Sequence, residues 1–157
     1  MRRYLFAVLL LFACSGGYAQ SLSFEELQNL TNMTDDQAHN YLLVSKGFRS
    51  KGKQQINGRN FELFQSNRID PDKRETVSLR ASSQGTSGNV SRQVIYFTLR
   101  EQDINAMLVQ AKASKMALVF KGADQYKRIY RFDNSLFMAI ISTAFDHLSG
   151  SVVLEEK

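Results

Sequence analysis

Cysteine occurs once in the chain, at Cys14, proline once, at Pro71, histidine twice, and tryptophan not at all. With Cys14 near the N-terminus, residues 20–157 hold no disulfide, no Cys-ligated zinc and no thiol nucleophile. Two histidines, His39 and His147, are too few for a His-rich metal centre, since a zinc site wants three or four ligands. The longest apolar run, from Tyr4 to Ala13, is half the ~20 residues that a spanning helix needs, so no transmembrane segment is expected. Strong charge is lacking too. The formal net charge of +5 falls to +3 once Arg2 and Arg3 are set aside, which is too mild to argue for nucleic acid as a partner.

What is present begins with an export signal. Arg2 and Arg3 precede the short apolar run, and small residues with Gly17-Tyr18-Ala19 follow, which reads as a signal peptide over residues 1–19 with cleavage before Gln20. Leu11-Phe12-Ala13-Cys14 loosely resembles a bacterial lipobox, so a lipoprotein anchored at Cys14 is the alternative. The expected location is periplasmic or secreted. Residues 20–157 then form one domain, long enough for one core, and 43% hydrophobic content fits that.

Three capping boxes mark helix starts: Ser23 to Glu26, Thr34 to Gln37 and Thr98 to Glu101. They predict two helices between Phe24 and Lys46, a short one to about Leu30 and a second starting at Thr34, and a helix over Arg100 to Lys115 with Ile104, Met107 and Leu108 on an apolar stripe. Gly47 suits a left-handed helix end. The period then becomes two. Asn57-Gly58 is a strong hairpin signal, Asp70-Pro71-Asp72 a turn, and "ETVSLRA" and "RQVIYFTL" are strands around the Ser/Gly-rich stretch containing "GTSGN". That stretch leads into a strand, which argues against a phosphate loop. After the last helix come "ALVFK", "QYKRIYRF", "LFMAIISTA" and "SVVLEE". The fold class expected is α+β: an antiparallel sheet with helices packed on one face.

"SKGFRSKGKQQINGRNFELFQSN" at 45–67 is loosely echoed by "SKMALVFKGADQYKRIYRFDN" at 114–134. Two tandem helix-plus-four-strand repeats, 23–99 and 100–157, would produce the echo, and so would the ordinary alternation of an α+β chain; both readings stay open. This element order resembles the beta-lactamase inhibitor protein family, whose tandem repeats form a curved sheet backed by helices. The resemblance covers nearly all of residues 20–157 as element order and implies a binding surface. That family is disulfide-stabilised, whereas residues 20–157 hold no cysteine.

Catalytic patterns are sparse. No Gly-x-Ser-x-Gly elbow occurs, and the carboxylates gather at helix starts, in the proline turn and at the C-terminus. His39, one turn from Asp35, and His147, beside Asp146 at an expected strand end, are the general-base candidates of a small hydrolase or lyase. An inhibitor or immunity-like partner of a secreted enzyme is a further alternative. The leading expectation is a non-enzymatic exported binding or accessory module, without a cofactor or metal. It meets a protein or an anionic cell-envelope polymer through its sheet face or through basic hairpins. The binding candidates are Lys51, Lys53 and Arg59 in the first hairpin and Lys121, Lys127 and Arg131 in the second, with Arg49, Lys51 and Lys53 on one strand face at two-residue spacing. Basic residues also guard exposed strand edges against pairing, and that reading competes with a ligand role.

Overall fold

The computed structural model of the chain describes residues 21–56, 58–81, 83–84 and 90–157. The expected signal peptide with Cys14, residue Asn57 of the hairpin turn and the loop at 85–89 lie outside the described residues.

Helix α1 spans Phe24–Asn32 and α2 spans Asp35–Asn40. Both start on reciprocal capping boxes. The Ser23 hydroxyl accepts from the Glu26 amide at 3.2 Å while the Glu26 carboxylate accepts from the Ser23 amide at 2.7 Å, and Thr34 and Gln37 repeat the exchange. The two helices expected between Phe24 and Lys46 are both present, and the break between them falls at Met33, which is extended, because the second cap needs a non-helical residue before it. Beyond α2, Tyr41–Ser45 forms a π-helical turn, closed by Gly47 at φ +67 with Phe48 buried just after it.

The strands are β1 Phe48–Ile56, β2 Arg59–Ser66, β3 Glu75–Arg80, β4 Ser83–Gln84, β5 Val90–Ser91 and β6 Gln93–Thr98. Helix α3, Glu101–Ala113, follows, and then β7 Ala117–Ala123, β8 Lys127–Asp133, β9 Phe137–Ala144 and β10 Gly150–Glu156. The third capping box does not form. Arg100 is the N-cap and makes no side-chain cap bond. Thr98 is the buried last residue of β6, and its hydroxyl accepts from the Arg100 amide at 3.1 Å and donates to Asp103 at 3.3 Å.

Eight strands make one antiparallel sheet in the order β1-β2-β3-β6-β10-β9-β8-β7, and β4 pairs with β5 separately. Each half of the chain supplies a four-stranded meander, and the two meet last strand to last strand at the β6·β10 seam. Strict alternation decides the faces. Phe64, Val77, Val94, Tyr96, Val152, Ile141 and Phe132 project to one side and join Phe24, Leu27, Leu30, Ile104 and Met107 of the helices in a single core. Helix α3 comes closest at the seam: a Cβ built on Gly150 would stand 2.4 Å from Ile104 Cγ1 and 2.8 Å from the Ser142 carbonyl oxygen. Leu108 only flanks this core, while Ile104 is fully buried.

Candidate binding surface

No residue of the helix-free face belongs to the core cluster. The registers lay out a row across that face: Leu63 opposite Ser78, Ser78 opposite Ile95, Ile95 opposite Val153, Val153 opposite Ile140, Ile140 opposite Arg131 and Arg131 opposite Phe120. Leu63, Ile95, Val153 and Ile140 are half-buried by their own neighbours, and Phe97 and Phe120 stand exposed on the same face. A band interrupted by Ser78 and Arg131 but otherwise apolar thus runs from β2 to the outer strand β7, with no helix of the described residues above it. An ordinary antiparallel sheet presents polar residues on its solvent side, so a band of this length is the kind of surface a partner covers.

The six basic candidates do not form one patch. Lys51, Lys53 and Arg59 belong to the hairpin at one edge of the sheet, and Lys121, Lys127 and Arg131 to the hairpin at the other. Five to seven strand spacings of about 4.8 Å put about 24–34 Å of sheet between them. Within the first hairpin, Arg49, Lys51 and Lys53 do not share a face. A bulge between Ser50 and Gly52 makes Lys51 the extra residue, so Arg49 sits opposite Gln65 on the open face and Lys53 opposite Glu62 on the helix side. Arg59 lies on the open side with Phe61. In the second hairpin a matching irregularity falls between Leu118 and Phe120. Lys127 and Arg131 are on the open face with Ile129, whereas Lys121 is on the helix side with its ammonium 5.9 Å from the Tyr130 ring centre.

The two histidines find carboxylates that lie far away in sequence. His39 Nδ1 is 2.8 Å from Glu62 of β2, which also accepts from Ser50 at 3.3 Å, and Asp35 instead pairs with Arg92. Arg92 is only 2% exposed, and burial lowers its pKa against the pull of Asp35. His147 is not on a strand end. It occupies the β9–β10 turn at φ +60, with Nδ1 2.7 Å from Glu101.

A further polar cluster had no sequence signal, because its members come from four separate segments. Glu75, buried at the start of β3, lies 3.0 Å from Arg68 and accepts from the Ser21 hydroxyl at 3.0 Å. Burial raises its pKa, with Arg68 opposing. Tyr96 is pushed up by burial, to which Glu75 and Asp103 add. Glu26 shows the opposite balance. Burial alone would raise it, yet Lys46, the Ser23 amide and Tyr41 hold it below its ordinary value, while burial and Glu26 push Tyr41 up to about 12. Among the described residues, no group of three or more His, Cys, Asp or Glu is placed to hold a metal ion, and no helix is long and apolar enough to cross a membrane.

The sequence marks the outer strand β7 as a strand, but not its exposed apolar character. "ALVFK" lacks period-two alternation, and in the fold Leu118, Val119 and Phe120 are 44%, 54% and 52% exposed. Unalternating apolar residues in a strand at the end of a sheet were the available sign. No protein-family model matches this chain, and no curated protein or solved structure matches it either.

Proposed function

We propose that this protein is an exported, non-enzymatic binding module that engages a macromolecular partner through the helix-free face of its sheet. The observation that carries the reading is the row Leu63, Ile95, Val153 and Ile140, reaching Phe120 across Arg131 and broken also by Ser78, whose apolar residues stand outside the core cluster. Basic residues on that side, Arg59 at one edge and Lys127 and Arg131 at the other, favour an anionic or mixed partner over a neutral one. The order β1-β2-β3-β6-β10-β9-β8-β7 is what two helix-plus-four-strand repeats joined tail to tail would build, and it supports reading 23–99 and 100–157 as related halves of one domain. Removal of residues 1–19 is part of the same proposal, and the mass of the mature N-terminus tests it.

The binding test is capture of partners from an envelope extract with the wild-type protein and with Ile95→Glu/Ile140→Glu, both changes lying on the open face. Loss of the captured species from a still-folded variant is the expected result; an identical set would refute the face as the binding surface. The His39–Glu62 and His147–Glu101 pairs favour a second reading, a small hydrolase or lyase. An activity abolished in folded His39→Ala/His147→Ala would establish that reading in place of the first.

A further inference from the structure

We infer that the outer edge of β7 accepts an extended segment of a partner protein as a ninth strand, and that this segment alternates apolar with acidic residues. The inference rests on the binding-module reading and specifies where and by what chemistry the partner engages.

Among the described residues, strand β7 pairs on one side only, with β8, which leaves backbone N–H and C=O groups on its other side to continue the ladder. Its seven residues are exposed apart from half-buried Gly122, and Leu118, Val119 and Phe120 supply large apolar side chains with Lys121 as the one charge. Sheets ordinarily protect such an edge. The other edge strand does so, with Arg49, Lys51 and Lys53 and with no exposed large apolar residue before Ile56.

The ligand's alternation follows from the two sides of β7. On the open face, Phe120 leans over its neighbour: a Cβ on Gly122 would meet the Phe120 ring at 2.5 Å. An incoming strand there would lie against an aromatic face, with Ile129 one strand further in. On the helix side stand Lys121 and, one strand in, Arg128. Side chains of an added strand alternate in the same way, apolar beside Phe120 and acidic beside Lys121. The bulge at Val119 leaves Phe120 to Ala123 as the regular stretch of ladder, and so selects one register.

Charge selects the sign. Residues 115–133 carry Lys115, Lys121, Lys127, Arg128 and Arg131 against Asp124 and Asp133. Both acids are engaged: Asp124 accepts from the amides of Tyr126 and Lys127 at 2.8 and 2.9 Å, and Asp133 pairs with Arg131 and Lys157. Lys115, Lys121, Lys127 and Arg128 pair with no carboxylate among the described residues. Two such edges repel, which disfavours a second copy of this chain as the occupant.

The test uses a fluorescent, end-capped seven-residue peptide of alternating valine and glutamate as the probe. Its controls are the valine–lysine peptide and a composition-matched peptide with the alternation scrambled. Anisotropy titration of the purified protein should rank the valine–glutamate peptide first by about tenfold or more, with affinity falling at high salt. Lys121→Glu/Arg128→Glu should weaken that peptide about tenfold and restore affinity to the valine–lysine peptide, a reversal that misfolding cannot produce. Hydrogen exchange should show new protection at 120–123. Equal binding of the scrambled peptide, protection on β1 instead of β7, or binding indifferent to the charge reversal would each overturn the inference. So would self-association of the wild type that Lys121→Glu/Arg128→Glu changes. The broader reading fails separately: Ile95→Glu/Ile140→Glu that leaves envelope capture unchanged refutes the open face and does not touch the peptide result.

Discussion

The two edges of the sheet occupy equivalent places in the strand order and are built from hairpins with a bulge in each outer strand, yet their surfaces differ. Strand β1 presents Arg49, Lys51, Lys53, Gln54 and Gln55, whereas β7 presents Leu118, Val119 and Phe120. Edge strands are where sheets meet other chains, and evolved sheets use lysine there to prevent it. Similar backbone architecture therefore leaves two different messages to the solvent: one edge refuses another strand and the other is open to it.

The largest effects should be ones that do not tell the edges apart. Phe64 on β2 and Phe132 on β8 are fully buried on the strand inside each edge. Phe64→Ala and Phe132→Ala should each cost about 3–5 kcal/mol in urea unfolding. A loss confined to one of them would mean that the two hairpins are not anchored alike, and the comparison of their surfaces would lose its basis.

The seam between the halves comes next. Gly150→Ala pushes a methyl into Ile104 and the Ser142 carbonyl oxygen, and should lower stability by about 1–3 kcal/mol. Unchanged unfolding would show that α3 is free to lift off β10.

Protonation sets two carboxylates of the first half against each other. Lys46, the Ser23 amide and Tyr41 lower the Glu26 pKa in the first half. Its folded value lies below the ordinary 4.5, so the stabilisation is present above pH 4.5 and is lost as pH falls through the folded value. Glu26→Gln should thus cost about 1–2 kcal/mol at neutral pH and less in acid, read by urea unfolding at both. Buried Glu75 has the opposite sign. Its folded pKa is raised, so its contribution is most favourable below the ordinary value and declines as pH rises through the folded one.

The smallest stability changes bear most directly on the edges. Lys51→Val/Lys53→Val should change unfolding by no more than about 0.5 kcal/mol while making β1 prone to associate, and Val119→Lys should protect β7 at similarly little cost. Sedimentation at high concentration reads the first and anisotropy with the valine–glutamate peptide the second; a β1 variant that stays monomeric, or peptide binding that Val119→Lys leaves unchanged, would erase the distinction between the edges.

Much of the layout was legible beforehand because it depends on neighbours in the chain. Ser23 with Glu26 and Thr34 with Gln37 begin helices as their spacing dictates, Gly47 ends one, and "ETVSLRA" alternates in the fold as it does in the sequence. Thr98 misled for an equally local reason: it has a capping residue's chemistry but is the buried end of β6, so its hydroxyl serves Arg100 and Asp103. The candidate surface was harder to read. Spacing of two put Arg49 and Lys53 together, and one bulge residue, Lys51, separates them.

By itself the sequence determined which segments are helical or extended and where most of them start and stop, since caps, turns and periodicity act over a few residues. Only the tertiary structure decided that β6 pairs with β10, that β1 and β7 are left as edges about 34 Å apart, that His39 meets Glu62 in place of Asp35, and which side of the sheet each lysine occupies. Those outcomes depend on register between strands distant along the chain. A one-residue shift there exchanges the faces, and no local pattern records it.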